Sequence, residues 1–306
     1  MINETLGIVI VNYNSAELLE QCVSAIFNSN IQNLLLKVVI VDNNSNDGSF
    51  ELDMPYNQQL ILIKNTDNKG FGYACNQGVE VLKSMKYLLF LNPDTQVGLN
   101  TFTESITFLK SSSDVSILGT MHKNEIGEIQ TSCSYTPKPI PMIWDILGLS
   151  KVLPNVFRPA TLMINFNHKE SRFVDQVMGA YMLMEKDVFD KLNGFDNRFF
   201  VYYEDADFAL RAKKIGFLSY YNSTIEIMHS GRGTTKKIFH ITLFYNLRSR
   251  IQFAYKHYGK FCGALILFLT LTLEPITRGL YNLIKNPSEN KNTFKAFKLL
   301  YRDTFK

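Results

Sequence analysis

The sequence predicts an α/β fold in which a mostly parallel sheet is flanked by helices. Three short runs rich in Ile, Val and Leu, at residues 7–11, 37–41 and 87–91, have the composition of buried strands. Helical patterns at residues 15–29 and 73–83 separate these runs along the chain. The resulting β-α-β-α-β alternation is typical of a doubly wound half-domain, in which ligands bind at the carboxyl ends of the strands.

The first predicted helix has the clearest local signals. Leu18, Leu19, Cys22, Val23 and Ile26 recur at helical spacing, and Ser15 precedes them as the expected N-cap. We therefore expect this helix to bury one face against the sheet.

The pattern is less regular after residue 94. It predicts a helix at residues 100–109, a strand-like run at 173–185 and a short helix at 186–193. The polar, proline-containing region at 122–170 fits no element. From residue 236 onward the chain is predicted to be helical.

These patterns divide the chain into a 1–235 domain, with halves at 1–94 and 95–235, and a basic helical extension at 236–306. The extension contains an uncharged run of thirteen residues at 261–273. A membrane-spanning helix needs about 20 residues, so this run predicts an interfacial or a buried helix.

Composition limits the possible function classes. With 306 residues, of which 46% are hydrophobic and 20% charged, the chain can bury a full core, and disorder is excluded. The net charge of +4 gives no argument for nucleic-acid binding. The four cysteines lack metal-ligand spacing, and the first residues show no signal-peptide pattern. We expect free thiols and a cytoplasmic protein.

Each of the three early strands ends in a polar cluster. The clusters contain Asn12, Tyr13 and Asn14, then Asp42 and Asn44, then Asn92 and Asp94. Such residues are ordinary turn formers, but three clusters at the same edge of a parallel sheet favour a nucleotide site. Asp42 is placed to accept hydrogen bonds from a base or ribose, whereas Asp94 suits a hard divalent cation that bridges phosphates.

Two further patterns bear on chemistry. Glu204, Asp205 and Asp207 lie among aromatic residues, where mutual repulsion would raise a pKa toward that of a general base. The alternative is a solvated helix start, where acids are favoured by the helix dipole. His229 is a lone histidine after a strand-like run, and it has both a structural and a ligand interpretation. The stretch with Asn68 and Gly70 is neither a dinucleotide fingerprint nor a P-loop.

Six motifs in order resemble the family 2 glycosyltransferases, in their rhamnosyltransferase-like branch. The motifs are IVIVNYN, VVIVDNNSNDGS, NKGFGYACNQGV, LFLNPDT, the long GAYMLMEKDVFDKLNGFDNRFFVYYEDADFALRAKKIGF and HSGRG, over residues 6–235. The resemblance implies a GT-A type Rossmann-like fold, an inverting single displacement and a nucleotide-diphosphate sugar as donor.

The resemblance also implies roles for particular residues. Asp205 matches the catalytic base and Glu204 is its partner acid. Asn92 and Asp94 match the outer positions of the family's metal motif, and only Asp94 can bind a metal as a carboxylate. His229 matches a histidine that completes the metal site in related enzymes, so Asp94 and His229 would hold Mg²⁺ or Mn²⁺. The implied nucleotide-sugar contacts are Asn12, Tyr13, Asn14, Asp42, Asn44, Asn68, Gly70, Asn76, Asn92 and Asp207.

Several alternatives remain open. The donor suggested by the resemblance is dTDP-L-rhamnose, followed by UDP-galactose, UDP-glucose or another hexose donor. The acceptor would be a glycan or lipid-linked glycan of bacterial surface polysaccharide. A non-catalytic nucleotide-sugar-binding relative would not need Asp205. A nucleotidyltransferase would need a glycine-rich basic loop, and a dehydrogenase would need its fingerprint, which this sequence does not have.

The extension predicts peripheral contact with the cytoplasmic face of the membrane. From Tyr255 onward it contains nine Lys or Arg and three acidic residues, which favours anionic headgroups. A core helix packed on the catalytic domain is the alternative for residues 261–273, because a buried helix is also apolar on all sides.

Overall fold

The computed structural model describes residues 4–31, 33–49, 59–231 and 239–305. Its first half alternates strands and helices as the hydrophobic runs predict. The elements are β1 (Glu4–Asn12), α1 (Ala16–Phe27), β2 (Leu34–Asp42), β3 (Leu60–Lys64), α2 (Phe71–Glu80) and β4 (Tyr87–Leu91).

The second half consists of shorter strands and helices. They are β5 (Thr95–Val97), α3 (Thr101–Ser111), β6 (Ile117–Lys123), β7 (Ile129–Gln130), β8 (Cys133–Ser134), α4 (Pro139–Ile146), α5 (Leu149–Val152), β9 (Arg172–Val174), β10 (Gln176–Val177), β11 (Tyr181–Glu185), α6 (Lys186–Lys191), α7 (Glu204–Lys214) and β12 (Ser219–His229).

Three helices follow: α8 (Phe239–Thr272), α9 (Glu274–Lys285) and α10 (Asn290–Thr304). A kink at Gly259, where φ is +85°, interrupts α8. Within the described residues, no single helix is long and apolar enough to cross a bilayer. The α8–α9 pair, bent by 44°, does meet the length and composition criterion when taken together.

The main sheet has the order β3-β2-β1-β4-β11-β6-β12-β5. The first four strands run parallel, β11 is antiparallel to both neighbours, and β12 is parallel to β6. Helices α1 and α3 cover one face of the sheet, while α2, α6 and α7 cover the other. The mostly parallel α/β fold predicted from the sequence is therefore confirmed.

A third hydrophobic cluster joins the C-terminal helices to the segment around the start of α7, which we name the catalytic region. Side chains of α4, α8 and α10 pack there against Phe199, Tyr203 and Ala206. The predicted boundary between 235 and 236 falls outside the described residues and stays a prediction. From Phe239 onward, however, the chain packs directly against the catalytic region.

Local predictions fail where the signal was weak. β3, β5 and the longer β6 were not predicted, and the run at 173–185 divides into three strands. The region 122–170 contains β7, β8, α4 and α5, which pack through contacts that are distant in sequence. Ser15 precedes α1 but makes no cap hydrogen bond, because its hydroxyl faces the Tyr13 carbonyl at 3.4 Å instead.

Gly70 brings the two halves of the catalytic domain together. Its φ is +95°, and the next amide, that of Phe71, donates to the Phe200 carbonyl at 2.8 Å. A Cβ atom at position 70 would lie 2.1 Å from that same carbonyl oxygen. Only glycine therefore allows this close approach.

We expect Gly70→Ala to lower the free energy of unfolding by about 3 kcal/mol or more, since left-handed strain is added to a backbone clash. Urea unfolding would measure the loss. The matched control is Gly127→Ala, where φ is +81° but no atom lies within 4 Å of the new Cβ, so a loss of about 1–2 kcal/mol is expected. Equal losses in both variants would contradict the clash.

Candidate active site

A cavity of about 540 Å³ opens at the carboxyl ends of β1 and β4. Its lining contains polar residues from the strand ends together with aromatic residues. The lining residues are Val11, Tyr13, Ser15, Asn43, Asn68, Gly70, Phe71, Asn92, Pro93, Asp94, Phe200, Val201, Tyr202, His229, Gly231, Ile241, Thr242 and Tyr245. Of the predicted site residues, Tyr13, Asn68, Gly70, Asn92, Asp94 and His229 lie here.

Asn12 and Asp42 are paired across β1 and β2 below this cavity and are fully buried. The Asn12 amide donates to Asp42 Oδ1 at 2.7 Å and to the Ser49 hydroxyl at 2.6 Å. Asp42 Oδ2 accepts the Ser45 amide at 2.9 Å. This network holds the loop after β2, while a direct contact of Asp42 with a nucleotide stays a prediction.

Asn14 fastens the loop after β1 to the loop after β2. The backbone amide of Asn14 donates to the Ser45 hydroxyl, and the Asn14 side-chain oxygen accepts a hydrogen bond from the backbone amide of Asn46, each at 2.9 Å. Asn14 and Asn44 both have positive φ, and Asn44 is exposed. Neither residue lines the cavity in the described part of the chain. Their predicted contacts with the donor therefore stay predictions.

Asp94 and His229 form a pair on the cavity wall. Thr95 pairs with His229 across β5 and β12, which brings Asp94 Oδ1 to 3.2 Å from His229 Nε2. Among the described residues, no group of three or more His, Cys, Asp or Glu side chains could hold a metal. The pair nevertheless fits a hard divalent cation, since Mg²⁺ is commonly held by one or two protein groups together with phosphate oxygens.

His122, which the sequence analysis did not select, lies behind this pair. Its ring is edge-to-face with that of His229, with 5.4 Å between centroids, and it is fully buried. Burial and the neighbouring His229 lower the pKa of His122 well below its usual value, so the ring is neutral. Its sequence context, ILGTMH at residues 117–122, contains no second polar residue pattern that would have selected His122.

A strained turn delivers the two predicted catalytic acids. Tyr202 and Tyr203 have φ of +66° and +67°, which is uncommon for residues other than glycine and recurs at functional sites. Glu204 and Asp205 follow at the start of α7, next to the cavity-lining residues 200–202.

The acid pair is buried enough to change its protonation. Burial, followed by the charge of Asp205, raises the pKa of Glu204 well above its ordinary value. One Glu204 oxygen has no hydrogen-bond partner. Burial also raises the pKa of Asp205, although hydrogen bonds from backbone amides oppose the increase. Glu204 is buried whereas Asp205 is half-buried, so Asp205 is the more accessible acid of the pair. Neither acid is among the residues that line the cavity, which their neighbours Phe200, Val201 and Tyr202 do line.

Asp207, predicted as a nucleotide-sugar contact, lies away from the cavity. It is fully buried and binds Arg211 Nε at 2.8 Å, His257 Nε2 at 2.7 Å and Lys256. Burial alone would raise its pKa, but these cationic and hydrogen-bonding groups outweigh burial and lower the pKa to about 2. The structure thus gives Asp207 a structural role.

Asn76 is also engaged within the protein rather than at the cavity. Its amide donates to the Phe195 carbonyl and to Asn197 Oδ1, and its oxygen accepts the Phe195 amide, all at 2.9 Å. A Cβ atom on Gly194 would lie 2.5 Å from the Asn76 oxygen. Asn76 therefore holds the loop that precedes the acid pair.

Phe200 and Tyr245, which we name the aromatic wall, line the cavity together with other α8 residues that no sequence pattern had indicated. The Phe200 ring stacks on Tyr245 with 4.3 Å between centroids and an angle of 21°. Ile241, Thr242 and Tyr245 come from α8, which the sequence predicted only as a helical extension. The aromatic run around Phe200 was the only available signal, because the α8 residues are distant in sequence.

The fold and the site define a GT-A type glycosyltransferase. The fold is similar to that of the mannosyltransferase PcManGT from Pyrobaculum calidifontis, solved in complex with GDP-Man and Mn²⁺. The TM-score is 0.57 at 15% identity, covering 97% of this chain and 87% of that chain. The protein belongs to glycosyl transferase family 2, whose family model matches residues 7–162. A model described as the N-terminal domain of galactosyltransferase matches residues 161–241.

Within the family, the chain is similar to rhamnosyltransferases. It is 25% identical over 240 residues to N-acetylglucosaminyl-diphospho-decaprenol L-rhamnosyltransferase of Mycobacterium tuberculosis, over 74% of this chain and 76% of the relative. It is 22% identical over 244 residues to the rhamnosyltransferase WbbL of Escherichia coli, over 71% and 87%. The resemblance to the rhamnosyltransferase-like branch is thus confirmed.

We expect Asp207→Asn to lower the free energy of unfolding by about 3 kcal/mol at pH 7, because it removes a fully buried carboxylate from the half-buried Arg211 and from His257 and leaves Lys256 with Asp196 alone. Since the folded pKa is depressed, the Asp207 contribution is complete above pH 3.8 and is lost as pH falls toward 2. In urea unfolding, the difference in the free energy of unfolding between the parent and Asp207→Asn should therefore decrease as pH falls from 3.8 toward 2.

Asp196→Asn is the matched control, because Asp196 also binds Lys256, at 2.5 Å, but is half-buried. Asp196→Asn should lower the free energy of unfolding by about 1 kcal/mol or less. Folded Asp207→Asn protein should still bind nucleotide sugar. A selective loss of that binding without loss of stability would contradict the structural role.

Proposed function

We propose that the protein moves a hexose from a nucleotide-diphosphate sugar to an acceptor hydroxyl by a single inverting displacement. The observation that carries this proposal is the acid pair Glu204–Asp205, which a strained turn holds beside the cavity at the strand ends. A transferase that activates a hydroxyl needs a base with a raised pKa at this kind of position.

Asp205 acts as the general base. Its carboxylate takes the proton of the acceptor hydroxyl while that oxygen forms a bond with the anomeric carbon. The bond from the anomeric carbon to the phosphate oxygen breaks, and its electron pair leaves with the nucleoside diphosphate. The raised pKa of Asp205 favours this step, because a more basic carboxylate holds the proton more strongly.

Glu204 supports the base by remaining neutral. Burial, followed by the charge of Asp205, raises its pKa well above the ordinary value of a carboxyl group, which favours the protonated form of Glu204. A neutral neighbour allows Asp205 to be ionised without a second negative charge beside it. The pair is therefore analogous to other acid pairs whose environments assign different protonation states.

Asp94 and His229 are the residues that would hold Mg²⁺ or Mn²⁺. A bound divalent cation supplies neutralisation of the charge that develops on the leaving diphosphate. The 3.2 Å separation of Asp94 Oδ1 and His229 Nε2, both of which belong to cavity-lining residues, supports this assignment. The metal-bound structures of PcManGT and of GalNAc-T7, which was solved with UDP, GalNAc and Mn²⁺, are consistent with it.

We propose dTDP-L-rhamnose as the donor. The support is the similarity to two proteins named as rhamnosyltransferases. UDP-galactose, UDP-glucose or another hexose donor is the competing assignment, favoured by the match to a galactosyltransferase domain at residues 161–241. The aromatic wall of Phe200 and Tyr245 provides apolar surface on which a sugar or a base can stack.

We propose a glycan or lipid-linked glycan as the acceptor, in polysaccharide synthesis at the cytoplasmic face of a membrane. The relative from Mycobacterium tuberculosis is named for a diphospho-decaprenol acceptor, which supports this class. A non-catalytic nucleotide-sugar-binding protein is the alternative. The Glu204–Asp205 pair argues against it, because burying Glu204 with an unpaired oxygen next to a second acid costs stability, and a binding protein without catalysis gains nothing that offsets this cost.

We expect Asp205→Asn to lower the rate of transfer by about 10²–10⁴-fold, because the amide cannot accept the proton but preserves side-chain size. Single-turnover transfer and calorimetric donor binding would be measured together. Donor binding should persist. Transfer within a few-fold of the parent would overturn the base assignment.

Glu204→Gln is the matched control at the neighbouring position. Because Glu204 is neutral in the proposed mechanism, replacing it with a neutral isostere should reduce transfer much less than Asp205→Asn does. The reverse order of the two losses would assign the base to Glu204.

We expect transfer to need Mg²⁺ or Mn²⁺, and Asp94→Ala to weaken metal-dependent donor binding by about tenfold or more. Calorimetric titrations with dTDP-L-rhamnose, UDP-galactose and UDP-glucose, each with metal or chelator, would test both the cation and the donor. Asp205→Asn is the control that keeps the metal site. Full transfer in excess chelator would contradict a role for the metal. Tighter binding of a UDP-sugar than of dTDP-L-rhamnose would contradict the proposed donor.

A further inference from the structure

Helix α9 carries an exposed apolar face. Ile276, Leu280, Leu283 and Ile284 recur at i, i+4, i+7 and i+8 and are all exposed, Leu283 to 62% and Ile284 to 81%. We name these four residues the α9 apolar face. A surface helix of a water-soluble domain normally turns such a stripe toward the core, so α9 shows the reverse arrangement.

The inward side of α9 is polar instead. Glu274 and Asn282 are buried, and Gly279 lies between them on the same side. The Glu274 carboxylate binds Arg250 of α8 and accepts from Arg278 Nε at 2.8 Å. The Asn282 amide donates to the Thr293 hydroxyl of α10 at 3.0 Å.

These buried contacts fix the orientation of α9. Rotating the helix to bury its apolar face would separate Glu274 from Arg250, and a buried charge without its partner is strongly unfavourable. Arg250 is itself fully buried and also donates to the Thr270 hydroxyl at 2.7 Å. The apolar face is therefore held outward by the fold.

Exposed apolar side chains continue on the helices next to α9. Phe261, Leu265 and Phe268 recur at i, i+4 and i+7 on the second part of α8 and are exposed. On α10, the exposed Phe294 ring approaches Gly279 of α9, 3.5 Å from the position of a Cβ there. Exposed apolar side chains therefore occur on each of the three C-terminal helices, and exposed apolar surface of this kind marks interaction sites.

Basic side chains accompany this apolar surface. Lys260, Lys285, Lys291, Lys295 and Lys298 are exposed, and none forms an ion pair with a carboxylate in the part of the chain that the structure describes. The buried Glu274, one of three acids after residue 254, is neutralised inside the fold. Exposed lysines beside an outward apolar face are complementary to the anionic headgroups and acyl chains of a bilayer.

We propose that the α9 apolar face, with the adjoining side chains of α8 and α10, inserts into the surface of an anionic bilayer and lies in its plane. The first part of α8 is committed to the core, since Leu243, Leu247 and Phe253 are buried there. The part after the kink at Gly259 covers thirteen residues, which reach only about 20 Å of a hydrocarbon core of ~30 Å. Helix α9 bends away from α8 by 44°, and its buried Glu274 is bound to Arg250, so the two helices do not form one straight span. The surface therefore docks without crossing.

This inference does not depend on the proposed sugar donor. It would bring the cavity close to acceptors that are anchored in the same bilayer, which are the acceptors that the proposed function assigns. The test is therefore vesicle binding, whose failure can be distinguished from a failure of transfer.

Sedimentation of the full chain with phosphatidylcholine vesicles, with and without 30 mol% phosphatidylglycerol (roughly the anionic content of a charged leaflet), measures docking. We expect binding to the anionic vesicles that falls as salt increases. The double variant Leu283→Asp/Ile284→Asp should bind at least about tenfold more weakly. The triple variant Lys291→Gln/Lys295→Gln/Lys298→Gln should lose most of the preference for anionic lipid.

The matched control is Leu99→Asp/Ile126→Asp, which changes two equally exposed apolar residues, 66% and 78%, on the catalytic domain. We expect it to bind vesicles like the parent. All variants should keep the parent's melting temperature and its rate of donor hydrolysis, because the changed side chains lie outside the cavity.

Equal binding of the α9 double variant and the control double variant would overturn the proposal. So would an absence of binding by the parent, including the case in which size-exclusion chromatography shows a dimer that the α9 double variant abolishes. That last result would identify the α9 apolar face as an interface between two copies of this chain.

Discussion

The arrangement of the active site depends on the buried carboxylate of Asp207. It joins Arg211 of its own helix to Lys256 and His257 of α8. Arg211 in turn donates to the carbonyls of Leu192 and Gly194 in the loop before α7. Because the loop, α7 and α8 meet at one carboxylate, the start of α7 is fixed, and the acid pair on its first turn is fixed with it.

The first turn of α7 shows how position on a helix determines the chemistry of a carboxylate. Asp205 and Asp207 are two residues apart, which places them about 200° apart around the helix axis. Asp207 faces three cationic or hydrogen-bonding groups that lower its pKa to about 2, whereas burial raises the pKa of Asp205. Two carboxylates of one helical turn thus differ in the direction of their pKa shifts, and Asp205, whose pKa is raised, is the proposed base.

The sequence predicted the strand ends well and the long-range contacts poorly. Asn92 and Asp94 could be placed at the cavity because a buried parallel strand and its terminus are both local patterns. The protein contacts of Asn76 and Asp207 could not be predicted, because their partners lie 119 and 50 residues away, and their predicted contacts with the donor stay predictions. The same applies to Tyr245, whose contribution to the aromatic wall depends on how α8 packs against Phe200.

The C-terminal helices show a further limit of sequence periodicity. A stripe at i, i+4, i+7 and i+8 tells that a helix has an apolar side but not which way that side faces. The uncharged run at 261–273 attracted attention by composition, yet the outward orientation is clearest on α9, where Ile284 lies next to Lys285. The direction is determined by Glu274, whose buried partner Arg250 is 24 residues earlier. A buried polar contact thus fixes the exposed apolar surface, just as Asp207 fixes the catalytic turn.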